Sequence, residues 1–154
     1  MRTITKVSSW AGLLLAGGIS LCSSQAQAHF PKDLTLFGGL TTHQVACSSL
    51  CTEGPLTGGL PGTLDFTMAS MTATETPNVV TYVGTNTITT EHGTLAGTDY
   101  GIWNLSTGEF VDYTTFSSGT GRYAGATGSF TITGTFDPTS GTGSSHYIAA
   151  LHLH

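Results

Sequence analysis

A chain of 154 residues with four Lys or Arg against nine Asp or Glu carries a formal charge of −5, so nucleic acid and anionic membrane surfaces are not expected partners. The length suits one domain with a real core and is too short for two.

The first residues carry Arg2 and Lys6, then an apolar stretch from Trp10 to Leu21, then Ala26-Gln27-Ala28. A charged start, an apolar middle and a small-x-small end make residues 1–28 a signal helix cleaved near Ala28, with a secreted or periplasmic destination. A membrane span is the competing reading, but Gly12, Gly17, Gly18 and Ser20 interrupt the run, which falls short of the roughly 20 apolar residues a bilayer requires. No transmembrane anchor is expected after cleavage. A lipoprotein site at Cys22 is disfavoured by the bulky Leu21 before it. Cleavage would leave His29 in front and, by removing Arg2 and Lys6, a formal charge of about −7.

Cys47 and Cys51 are then the two remaining cysteines, and in an oxidising compartment their spacing suggests a local staple worth about 2 kcal/mol. The alternative is a redox or metal pair, for which the spacing is wrong and a second pair is missing. Residues 29–52 read as an N-terminal segment carrying this staple, and 53–154 as the barrel domain described next.

Beyond the signal no 3.6-residue apolar period is sustained. Alternating runs rich in Thr, Val, Ile and aromatics recur between turn residues. Strands are expected at Leu34–Leu40, Gly62–Met71, Asn78–Thr90, Gly93–Leu105, Glu109–Ser117, Gly121–Ala124, Ser129–Phe136 and Ser144–Leu153. Turn chemistry at Ser106-Thr107-Gly108 and Asp137–Gly141 makes successive strands antiparallel neighbours. A meander of about eight strands with one apolar face closes into a barrel or folds into a sandwich; the glycines in and beside long strands favour the single antiparallel barrel, an all-β fold. Parity puts Phe130, Ile132 and Phe136 on one face and Thr131, Thr133 and Thr135 on the other; Tyr147, Ala149, Leu151 and Leu153 form the core face of the last strand.

Several side chains are candidates for chemistry. Asp65, Glu91, Asp99 and Asp112 are the carboxylates available for acid–base work; Glu91 and Asp112 are the catalytic candidates, and Asp112 shares a face with Phe110 and Phe116, so burial would raise its pKa. Tyr82, Tyr100, Trp103, Phe110, Tyr113, Phe116 and Phe130 either line a lumen or fill it, the first six being the ligand-binding candidates. His152 and His154 share one face about 7 Å apart on a strand, a spacing two metal ligands tolerate. His29 at a free N-terminus would add an amino group beside its ring, a set suited to Cu(II). The plainer reading is solvated terminal histidines, and no metal is assigned. The segment Gly119-x-Gly121-x-x-Ala124 matches a dinucleotide fingerprint only formally: a strand, not a helix, follows it, so no cofactor is expected.

The stretch Gly119-Thr120-Gly121-Arg122-Tyr123-Ala124-Gly125-Ala126-Thr127-Gly128 with its following strand resembles the G-x-G-x-[FY]-x-G-A-x-G segment of the allene oxide cyclase-like barrels. Gly54-Pro55-Leu56-Thr57-Gly58 and Thr90–Gly97 resemble glycine-flanked strands of small exported bacterial proteins carrying that domain, and the likeness spans roughly 53–154. It implies an eight-stranded calycin-like barrel whose lumen holds a small apolar or phenolic molecule. The first functional expectation is therefore a binding protein; the alternatives are an isomerase or cyclase steering ring closure of a lipid-like substrate, and a filled barrel with a structural or surface interaction role. The family's catalytic residues do not align onto this chain, so no catalytic role is transferred.

Overall fold

The structure, a computed structural model, describes residues 32–154; the signal segment and His29 lie outside the described residues. Eight strands pair with their neighbours in chain order: β1 (Lys32–Val45), β2 (Cys51–Leu56), β3 (Gly62–Ala73), β4 (Val79–Thr90), β5 (Gly93–Asn104), β6 (Glu109–Gly119), β7 (Thr127–Asp137) and β8 (Thr142–Leu153). Every pair is antiparallel, and β8 returns along β1 from Lys32↔Leu153 to His43↔Thr142, which closes the barrel. Period-2 alternation decides which face turns inward. Leu64, Phe66 and Met68 on β3 and Phe130, Ile132 and Phe136 on β7 are buried inside, whereas Thr67, Thr133 and Thr135 stand outside.

Three elements differ from expectation. The first strand is not the short Leu34–Leu40 but a 14-residue barrel stave, so the barrel begins at Lys32 and residues 32–45 are not part of a separate N-terminal segment. Strand β2 is not among the expected strands, although it overlaps the Gly54–Gly58 stretch that resembles a glycine-flanked strand. Its ladder to β1 skips from Leu40↔Leu56 to His43↔Glu53, with Pro55, which has no N–H to donate, inside the gap. Residues Gly121–Tyr123 form a 3-10 turn instead of a strand, because Gly121 takes a positive φ of 58° that no strand accommodates.

The two ends of the barrel are built differently. At the end holding Lys32 and Leu153, Leu60 from the β2–β3 loop and Tyr123 and Ala126 from the β6–β7 connection are buried as a floor. Tyr147 pins that floor: its hydroxyl donates to the Thr57 carbonyl and accepts from the Leu60 N–H, both at 2.8 Å. Its ring packs 5.0 Å from Phe130, which lies 6.1 Å from Phe116. The opposite end carries the β1–β2 loop with its Cys47–Cys51 disulfide and the β3–β4, β5–β6 and β7–β8 turns.

Tyr147→Phe keeps the ring and removes both hydrogen bonds, leaving the buried Leu60 N–H unpaired. A loss of about 1–3 kcal/mol follows, read in thermal unfolding as a Tm several degrees lower; an unchanged Tm would show that the floor does not depend on this hydroxyl.

Candidate functional site: a half-open pocket in the barrel lumen

The disulfide end holds a cavity of about 60 Å³ walled by Leu50, Phe66, Met68, Trp103, Phe110 and Phe136, with Tyr82, Asn86 and Asp112 also facing it. Trp103 and Phe136 meet edge to face at 5.7 Å, as do Phe66 and Tyr82 at 5.9 Å, so the walls brace one another. The rim is set by the stapled loop. Ser49 Oγ donates to the Met68 carbonyl at 2.7 Å, and the Met68 N–H donates to the Leu50 carbonyl at 2.9 Å, which holds the Leu50 side chain against the mouth.

Beneath these walls lies a polar layer. Asp99 is 0% exposed and Asp112 5% exposed. Gly101 is the reason Tyr82 reaches Asp112: it stands between them in register, paired to Tyr82 on β4 and to Asp112 on β6. A Cβ on Gly101 would collide with the Tyr82 ring, so only the bare backbone lets that ring cross β5. Asn86 Nδ2 donates to Thr114 Oγ1 at 2.6 Å, and Thr114 Oγ1 donates to Asp99 Oδ1 at 3.1 Å. Thr114 gives its only proton to Asp99, so Asn86 must turn its nitrogen to Thr114 and its oxygen elsewhere.

Burial pushes the Asp112 carboxyl up to about 10, aided by a hydrogen bond to Asp99 and by that group's charge, while the Tyr82 hydrogen bond opposes the rise. Burial first, then the nearby Asp112 and Asp99 carboxyls, also raise the Tyr82 hydroxyl. Asp112 therefore keeps its proton at neutral pH. Asn86 Oδ1, Asp99 Oδ2, Asp112 Oδ1 and Trp103 Nε1 are buried without a hydrogen-bond partner. A proton held between the two carboxyls supplies a donor that neither ionised carboxylate has. The cavity above this layer, about 60 Å³, accommodates a few waters or a small head group.

The structure sorts the other candidates. Tyr82, Trp103 and Phe110 line the pocket as expected of them. Phe116 is buried nearer the floor. Tyr100 and Tyr113 stand on the outer wall at 61% and 50% exposure, a correction that follows from parity: each has odd-even phase opposite to the inward residues Asp99 and Asp112 beside it. Glu91 lies in the exposed β4–β5 turn at the floor end, 3.2 Å from His92 Nε2, too far along the barrel to act in this pocket. Asp65 is outward. Asp99 is the member of the site that sequence ranking passed over, although its phase with Leu95 and Trp103 marks it as inward. His152 and His154 do lie together, rings 4.8 Å apart, with His152 Nδ1 2.7 Å from Asp33 Oδ1. Among the described residues no group of three or more His, Cys, Asp or Glu is arranged to hold a metal ion, and no helix is long and apolar enough to cross a membrane.

Fold and site together define a closed eight-stranded antiparallel barrel with one sealed end and one aromatic pocket over a buried carboxyl pair. Comparison with protein-family models, with curated proteins and with solved structures returns no match.

Folded Asp112 holds its proton to about 10, against 3.8 for an unperturbed side chain. Between these values the native state binds more protons than the unfolded one, so stability falls as pH rises, by up to about 1.4 kcal/mol per pH unit. Asp112→Asn removes that slope: urea unfolding at pH 5 and pH 9 should give a much smaller difference for the variant than for the parent, and equal slopes would contradict the burial of a proton at this site.

Proposed function

We propose that this is an exported binding protein of the allene oxide cyclase-like barrel type, which takes the end of a small, largely apolar molecule into the disulfide end of its lumen. The observation that carries the reading is the pocket itself: aromatic walls with a few polar side chains, Tyr82, Asn86 and Asp112, among its lining, the usual make-up of a small-molecule site. Export is supported by the signal pattern over 1–28 and by the Cys47–Cys51 bridge; the described barrel strands, Lys32 onward, all lie after a cleavage near Ala28. The family relation is supported by closure with eight strands and by the glycine segment Gly119–Gly128, which forms the connection into β7.

Size argues against the cyclase alternative, since folding a lipid-like substrate requires several hundred cubic ångströms and the pocket offers about 60 Å³. It also caps affinity. A buried head of about five non-hydrogen atoms gives at most about 7 kcal/mol, a Kd no tighter than about 10 μM.

Trp103 reports on occupancy. The chain has two tryptophans, and cleavage near Ala28 removes Trp10, so Trp103 is the sole one in the exported protein. Titration with short alkyl and phenyl compounds should shift its emission saturably, and native mass spectrometry should find a bound molecule on the protein exported by its host. No saturable shift with any compound, and no bound molecule, would leave the filled, structural barrel as the reading.

A further inference from the structure

We infer that the outer wall over β5 and β6 is the contact surface of a symmetric dimer, with a second copy of this chain as its occupant. The inference stands apart from the pocket and its ligand, which lie inside the barrel.

Register builds the surface. Tyr100 pairs with Tyr113 and Ile102 with Val111 across the β5–β6 ladder, and the four side chains point outward, at 61%, 50%, 46% and 47% exposure in that order. Cross-strand partners stand about 5 Å apart and residues two apart on a strand about 7 Å, so the four make one continuous block. Half-buried Val83 on β4, paired with Tyr100, and Thr131 on β7, paired with Tyr113, extend it on either side. A shallow groove lined by Val79, Ile102, Val111 and Thr133 continues it toward the disulfide end. Exposed Ile148 and Phe37 form a smaller pair further round the wall, separated from Tyr113 by Thr131.

Charge decides the occupant. On the outward positions of β4, β5, β6 and β7 the ionisable groups other than tyrosine are Glu109 and Asp137, both at the disulfide-end margin. The other carboxylates outside the lumen lie on β1 to β3 and in turns, with Lys32 at the start of β1 and Arg122 in the 3-10 turn. The block therefore offers nothing to a charged partner. Two copies of an acidic chain repel each other unless their approach keeps the carboxylates apart, and a two-fold axis through the block does so by setting uncharged wall against uncharged wall. Closure leaves the barrel no free sheet edge, so copies can meet only face to face. A block of Tyr, Ile and Val is its own complement, as an isologous contact requires. A polysaccharide is the rival occupant, since tyrosine rings stack on sugar faces, but Ile102 and Val111 fill half of the block and give sugar hydroxyls no hydrogen bond.

Area sets the strength. The four side chains expose roughly 450 Å² of largely apolar surface, the size that marks an interaction patch on a monomer. With their threonine surround, two copies bury about 1,200 Å² in total, the low end of specific interfaces. The dimer is therefore weak, with a Kd of about 1–100 μM.

Sedimentation velocity tests this on the exported, processed protein, because the apolar run Trp10–Leu21 of an uncleaved chain would associate on its own account. Over about 1–200 μM the weight-average mass should climb from one copy toward two. Ile102→Thr and Val111→Thr together keep β-branched residues at both positions and remove the aliphatic half of the block; dimerisation should weaken at least tenfold with thermal unfolding unchanged. Should that variant fail to fold, Tyr113→Thr takes its place with the same expectation. Phe37→Thr, three strands round the barrel from Tyr113, should dimerise like the parent. A monomer across the whole range would overturn the dimer, and so would association that Phe37→Thr weakens as much as the Ile102 and Val111 changes do. A monomer retarded in gels by soluble β-glucan or xylan, with the retardation lost in Tyr113→Thr, would give this face to a polysaccharide instead. Trp103 emission reads the pocket separately, so the two readings fail independently.

Discussion

An eight-stranded barrel encloses a lumen just wide enough for side chains, and this chain meets that constraint by setting large residues against glycine. Tyr82 pairs with Gly101, Tyr147 with Gly38, Phe110 with Gly134, Phe116 with both Gly97 and Gly128, and Phe136 with Gly143. At Gly101, Gly38 and Gly143 the rings of Tyr82, Tyr147 and Phe136 come within contact of the space a Cβ would take. The high glycine content is therefore a packing requirement as much as a turn requirement.

The same device sets the two halves of the molecule. Tyr147 passes over Gly38 to reach the β2–β3 loop and seals the floor with a pair of hydrogen bonds. Tyr82 passes over Gly101 to reach Asp112 and completes the polar layer. Beneath that layer Phe116, Phe130, Tyr147, Leu60 and Leu95 fill the lumen; above it the Trp103–Phe136 and Phe66–Tyr82 pairs wall the pocket. Tyrosine serves both ends because a ring that fills a barrel also carries a hydroxyl to its far side.

Much of this was legible from phase alone. Alternation placed Phe130, Ile132, Phe136 and the Tyr147–Leu153 face inside, and it put Asp112 among phenylalanines, where the structure buries it. What failed was local. Strand β2 is short and lacks a clean alternation, and Pro55 is a poor central-strand residue, yet a strand tolerates it where the ladder to β1 is broken. Gly121–Ala124 lacks a phase long enough to reveal a 3-10 turn. Ring chemistry makes Tyr100 and Tyr113 look like lumen residues, whereas parity sends both outward, where they are exposed. The Asp99–Asp112 pair was out of reach for a different reason: its members sit on different strands, diagonal across the β5–β6 ladder, and the glycine that lets Tyr82 join them carries no chemical signal in a glycine-rich sequence.

Energetics give that pair its meaning. A barrel that needed only to be stable would continue the aliphatic packing of its lower half upward, because replacing buried ionisable groups by apolar residues of similar volume is often neutral or stabilising. Here the chain buries two carboxyls, an asparagine and a tryptophan N–H, one polar atom of each without a hydrogen-bond partner among the described residues, next to an unfilled part of the lumen. Where local choices depart from what packing favours, the departures concentrate at working sites. Both departures meet at the open end, under a loop held by a disulfide, and the floor end shows neither. That asymmetry divides the lumen into a half closed by side-chain packing and a half that keeps polar groups beside a pocket.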